Sequence, residues 1–223
     1  ALLDKAYLLS LAQDIDMNSK GKSTRQLPDA IFPILEIVYQ LQQNPYSPYV
    51  GRVIFQKIAY IFTQMIDNHD FPFTESYYGP YSEKLNKALG ILANSNILIE
   101  ENYENMLRIK ILKDYETYRE KHKQNIDTYL AKIDKVVDLF SRIQNTEQAE
   151  EVATVLYSSK KLKKNGNPVK ERDIINYIIK WKKNWNQTDK IEKLVTTIRN
   201  LTSLRWINTE YCPDLKSSED DLY

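Results

Sequence analysis

The chain has 223 residues, 42% hydrophobic and 27% charged, with 31 Lys and Arg against 30 Asp and Glu, for a formal net charge of +1. That balance allows a sizeable core and speaks against a strongly cationic nucleic-acid binder. The single cysteine, Cys212, excludes an internal disulfide and favours a reducing, cytoplasmic setting, and no apolar run reaches the ~18 residues of a membrane span.

Only 5 glycines stand beside 16 tyrosines. With abundant Lys, Glu, Leu and Ile, this predicts a mainly α fold with a small β-hairpin. Residues 2–16 read as an amphipathic helix, and 19–29 as a polar, basic linker. The chain opens on Ala rather than Met, as an excised or processed segment would. A helix follows at 30–43, with Pro33 in its first turn. Another spans 51–67, apolar around much of its girth at Val53, Ile54, Ile58, Ile61, Phe62 and Met65, and is expected to be central. Residues 68–79 connect to a helix over 80–94, whose first turn Pro80 presets.

Alternation around a polar turn predicts a hairpin at 97–112. Three helices and then a hairpin is the order of a winged helix. The stripe from Tyr118 to Phe140 predicts one long helix over 114–143. Thr146 is the expected N-cap of a helix at 146–162, and two further helices occupy 170–185 and 188–207. The domain reading is therefore 1–29, helix and linker; 30–112, winged-helix-like module; 113–208, helical bundle on which it packs; 209–223, flexible acidic tail.

Catalytic chemistry is not evident. His69 lies in a connector and His122 in a charged helix between Lys121 and Lys123, where a solvated surface position is expected. There is no Cys/His zinc cluster, no Gly-rich phosphate loop and no GxSxG elbow. Cys212 reads as a bystander thiol, and the acidic pairs Glu100–Glu101 and Glu150–Glu151 as solvated. No cofactor and no enzymatic activity are expected.

Two clusters point to binding instead. From Lys160 to Lys183 the chain carries Lys160, Lys161, Lys163, Lys164, Lys182 and Lys183 among other cations, interleaved late by Trp181 and Trp185. Such a mixture can grip phosphate and stack bases, or can be an exposed lysine face over half-buried tryptophans. As a recognition helix, 80–94 offers the cations Lys84 and Lys87 and no arginine to read guanine, so protein docking ranks above DNA binding. In ESYYGPYSEKL (75–85), Gly79 and Pro80 make a corner before the helix. Tyr77, Tyr78 and Tyr81 either form an interaction patch or wedge that corner against helix 51–67.

The same stretch resembles a known pattern. Gln56, Lys57, Ile58 and Tyr60, followed by Tyr78, Gly79, Pro80, Tyr81, Ser82, Glu83 and Leu85, resemble the "QK(L/I)xYFL … YGPYxExL" arrangement. It belongs to the YwgA-like domain, including the C-terminal half of DarG antitoxins, and occurs more loosely in Panacea/SocA-like antitoxin domains. EEVATVLYSSKKL (150–162) is similar to that family's "ELLATVHWLA" helix, and LTSLRWI (201–207) to its closing "xxLxxxGWL". The departures are Leu156-Tyr157 for His-Trp, and Arg205 for the glycine before the final Trp.

The resemblance spans about residues 50–207 and implies a non-catalytic antitoxin module. Its implied partner is a toxin of the DarT type, an ADP-ribosyltransferase acting on single-stranded DNA. No macrodomain-like Gly-rich loop is present. The partner-binding candidates are Tyr77, Tyr78, Tyr81, Trp181 and Trp185. The alternative is a winged-helix DNA-binding regulator using Lys84, Lys87 and the lysines of 160–183.

Overall fold

The computed structural model describes residues 27–103, 106–164 and 166–218. The expected helix at 2–16 and most of the 19–29 linker lie outside the described residues. The chain is mainly helical with a small antiparallel hairpin, as its composition indicates.

Helix α1 (Ile31–Gln43) buries Ile31, Ile34, Leu35, Ile37, Val38 and Leu41, the i, i+3, i+4, i+7 stripe of its sequence. Helix α2 (Arg52–Met65) is buried without a break from Ile54 to Thr63. Its all-round apolarity has that consequence, because it lies against three other helices. Helix α3 (Glu83–Asn94) buries Leu85, Ala88, Leu89 and Leu92. Strands β1 (Leu98–Tyr103) and β2 (Met106–Ile111) pair antiparallel in a register that sets Leu98 opposite Ile111. The Val50 carbonyl accepts the Ile109 N–H at 2.8 Å, and Gln42 bonds both backbone groups of Ile111, tying the hairpin to the start of α2 and the end of α1.

The stretch 114–143 is not one helix. It divides into α4 (Tyr115–Lys121), α5 (Lys123–Thr128) and α6 (Leu130–Ser141). The breaks fall at His122 and Tyr129, whose backbones sit near φ −108°, ψ 16° and φ −115°, ψ 10°, outside the helical well. The kinks set α5 and α6 against α1, and α6 against α2 as well, instead of projecting a straight rod past them. His122 is half-buried and stacks on Phe32, ring centroids 3.4 Å apart, so it is not the solvated residue its lysine neighbours suggest. Burial there holds its pKa below the usual histidine range.

Helix α7 (Thr146–Leu162) follows, then β3 (Val169–Lys170), α8 (Glu171–Trp181), a 3-10 turn (Lys183–Trp185), α9 (Thr188–Ser203) and β4 (Thr209–Glu210). Asn145 rather than Thr146 caps α7, its side chain accepting the Gln148 N–H at 2.9 Å. Ser82, not Pro80, initiates α3; Pro80 lies two residues upstream in the corner itself. Helix α2 packs on α1, α6 and α7, and α7 packs in turn on α8 and α9. One continuous apolar cluster therefore runs from Ala30 to Leu201, through both expected modules.

The segment from 209 to 218 is held in place. Strand β4 pairs parallel with β3; buried Glu171 accepts the Cys212 N–H at 2.9 Å and pairs with Arg199; and Arg199 donates to the Leu215 carbonyl. The acidic composition of the tail points to free solvent, but the buried Glu171 carboxylate needs donors, and the tail backbone supplies one. Among the described residues, no helix is long and apolar enough to cross a membrane.

Candidate functional site

The corner between α2 and α3 is clamped from two sides. An antiparallel bridge between Thr74 and Tyr81 closes it at 2.9 and 3.0 Å. From α2, Gln56 satisfies both backbone groups of Ser82, and the Lys57 ammonium donates to the Pro80 carbonyl at 2.8 Å. From α8, Trp181 donates its indole N–H to the Ser76 carbonyl at 3.2 Å and Tyr177 donates to Glu75. Lys182, just past α8, donates to the Tyr77 carbonyl. Five side chains thus hold the Glu75 carboxylate and the carbonyls of Ser76, Tyr77, Pro80 and Ser82.

A buried ionic layer lies under the corner. Lys182, 4% exposed, bonds to Glu150 on α7. One helical turn along, Lys190 bridges Glu147 and Glu151, and the Trp185 ring sits between the two ammonium groups, 4.4 Å from Lys182 and 4.3 Å from Lys190. Burial pushes Lys57 down to about 7, with Glu150 opposing and Lys182 assisting the shift. Burial likewise depresses Lys182, against the hydrogen bond and charge of Glu150. Lys190 moves upward, since the bonds and charges of Glu147 and Glu151 outweigh its desolvation.

The predicted residues separate clearly on this frame. Tyr77 and Tyr78 project from the clamped corner, 72% and 55% exposed, with their rings edge to face at 4.9 Å. Tyr81 is half-buried and donates to Glu83. Trp181 is half-buried against Tyr157, and Trp185 is in the core, so both support the corner rather than present a face. Lys84 and Lys87 are exposed on α3; Lys160, Lys161, Lys163, Lys164 and Lys183 are exposed on the other half of the molecule. Lys182 is committed to Glu150 and the Tyr77 carbonyl and has no face left for phosphate. The pair Glu150–Glu151 is buried, correcting the solvated reading: two carboxylates on a helix packed by α2, α8 and α9 are ion-paired with Lys182 and Lys190.

Sequence reasoning named Lys57 and Arg205 only within the family resemblance, and gave no role to them or to Thr154. For Lys57 the signal was a cation within an otherwise apolar helical stripe. For Arg205 it was a large residue where a helix end favours glycine. A cleft of about 670 Å³ opens between α2, α7 and the residues after α9, lined by Tyr60, Met65, Leu156, Lys160, Arg205 and Trp206 among others. Among the described residues, no group of three or more His, Cys, Asp or Glu side chains is arranged to hold a metal ion.

No protein-family model matches this chain, and no curated protein matches it.

Proposed function

We propose that this chain is a non-catalytic antitoxin module that acts in the cytoplasm. In this reading it binds and neutralises a partner toxin of the DarT type, an ADP-ribosyltransferase that targets DNA. The observation that carries the reading is the exposed Tyr77–Tyr78 pair on a corner clamped by α2 and α8. Two large rings are held in solvent on a backbone with little freedom left to lose, which is how an interface anchor is pre-organised. The resemblance of residues 50–207 to the toxin-binding half of DarG antitoxins names the kind of partner.

The test is co-expression of the tagged chain with the product of its adjacent reading frame, with the complex weighed by light scattering. A stoichiometric complex that silences an ADP-ribosyltransferase, and that Tyr77→Ala/Tyr78→Ala disrupts, is the expected result. A toxin fully active in saturating excess of this chain ends the proposal.

A second reading, a winged-helix DNA-binding regulator, draws on α3, where Lys84 and Lys87 are exposed ahead of the hairpin. It predicts duplex binding that weakens steeply with salt. The hairpin's own cations favour it less, because Arg108 and Lys110 are engaged with Glu101.

A further inference from the structure

The cleft between α2 and α7 has a chemistry unlike that of the tyrosine corner. Its walls are apolar at Ile61, Met65, Leu156, Val169 and Ile207, with the half-buried Trp206 ring beside them. Tyr60 lines it while only 3% exposed as a residue, and its hydroxyl makes no hydrogen bond among the described residues. The mouth carries Lys160, Lys163 and Arg205, and among the described residues no carboxylate lines it. Among the described residues Lys163 and Arg205 form no ion pair. Lys160 reaches only the neutral amide of Gln64, a second residue of the cleft.

Arg205 adds an independent sign. It follows the end of α9 with φ +59°, its N–H on the Thr202 carbonyl at 3.0 Å, while the Trp206 N–H returns to Leu201 at 2.8 Å. That closure favours glycine, because a β-carbon is disfavoured in the left-handed region. An arginine here weakens the local fold while setting a guanidinium at the mouth of a cleft with no anion among its described lining residues.

We propose that this cleft is a binding site for a nucleoside phosphate, the base lying against Trp206 and the aliphatic wall and the phosphate held by Lys160, Lys163 and Arg205. A flat heteroaromatic ring with polar edges satisfies both the apolar wall and the open Tyr60 hydroxyl. A phosphate meets three cations that lack a carboxylate. The volume falls within the roughly 300–1,000 Å³ of small-molecule sites. The site goes beyond the partner-binding reading and stands without it. The same chemistry is offered by a free nucleotide or by one nucleotide of a single strand.

Calorimetric titration of the full chain with the four nucleoside 5′-monophosphates, the matching nucleosides, inorganic phosphate and a short single-stranded oligodeoxynucleotide separates these sources. At least one monophosphate is expected to bind about tenfold or more tighter than its nucleoside. An oligodeoxynucleotide that binds much tighter than any monophosphate identifies the strand as the source; the reverse order identifies the free nucleotide. Arg205→Gly is expected to weaken binding about tenfold without lowering the unfolding temperature, since glycine suits φ +59°. Lys163→Gln, at an exposed position, should weaken it in parallel. Failure of both the monophosphates and the oligonucleotide to bind at millimolar concentration overturns the proposal. So does binding that neither substitution changes. Neither result bears on whether the tyrosine corner captures a toxin.

Discussion

Gly79 stands against Thr154: a β-carbon on Gly79 would come within 3.0 Å of the Thr154 Oγ1 and 3.4 Å of the Lys57 Cε and Nζ. Gly79 also sits at φ +87°. The glycine of the corner is therefore required twice, by its backbone angle and by its contact with α7, and it answers to packing between the two halves of the chain. Gly79→Ala is expected to cost about 1–3 kcal/mol, the left-handed penalty plus the crowding. Thr154 Oγ1 is buried without a hydrogen-bond partner among the described residues, so Thr154→Ala should recover the crowding part of that cost and leave the backbone part. A double-mutant cycle by urea denaturation measures the coupling; strictly additive effects would show that the contact carries none of it.

The partner to that packing is ionic. Glu150 is the only described carboxylate bonded to Lys182, and Lys57 also feels its charge. Glu150→Gln removes the anion and leaves a buried cation without one, for an expected loss of about 3–5 kcal/mol. Glu147→Gln touches only the exposed arm of the Lys190 bridge and should cost less than about 1 kcal/mol. Similar midpoints for the two variants would contradict this ordering.

These two pairs mark where the sequence was legible and where it was not. Helical periodicity located α1, α2 and α3, and alternation located the hairpin, because those signals are written within one element. The order of helices and hairpin followed from them. The burial of Glu150 and Lys182 could not be read that way. It depends on α7 being packed by α2, α8 and α9, contacts between residues far apart in the chain. Adjacent acidic residues on a helix look solvated until the cations of another helix are brought over them. The same holds for His122, flanked by lysines yet stacked on Phe32. The exposed tyrosines of the corner were legible as candidates; the tryptophans assigned with them proved to be its supports.

Surface and support predict different outcomes on substitution. Tyr77→Ala/Tyr78→Ala removes two rings that are mostly in solvent, so the unfolding midpoint should move by less than about 0.5 kcal/mol per site. Trp181→Phe deletes the donor to the Ser76 carbonyl and should lower stability by about 1 kcal/mol or more. If the double tyrosine variant unfolds as readily as the tryptophan variant, the rings are wedges and not an exposed face.

Lys57 gives the corner a pH dependence with a definite sign. Its folded pKa of about 7 lies below the ordinary 10.5. Between those values the unfolded chain binds a proton that the folded chain has released, so this group makes stability rise with pH across that window. Below pH 7 both states hold the proton, and the full cost of burying the ammonium is present. Lys57→Met removes the titrating group and keeps most of the length of the side chain. The difference in unfolding free energy between the wild type and Lys57→Met should therefore shift in the wild type's favour from pH 7 to pH 10, and stay level from pH 5 to pH 6. Lys182, also depressed by burial, is common to both proteins and cancels in the difference to first order. A difference that is flat from pH 7 to 10 would mean that Lys57 remains charged in the folded chain, with Glu150 and the Pro80 carbonyl together sufficient to hold the ammonium.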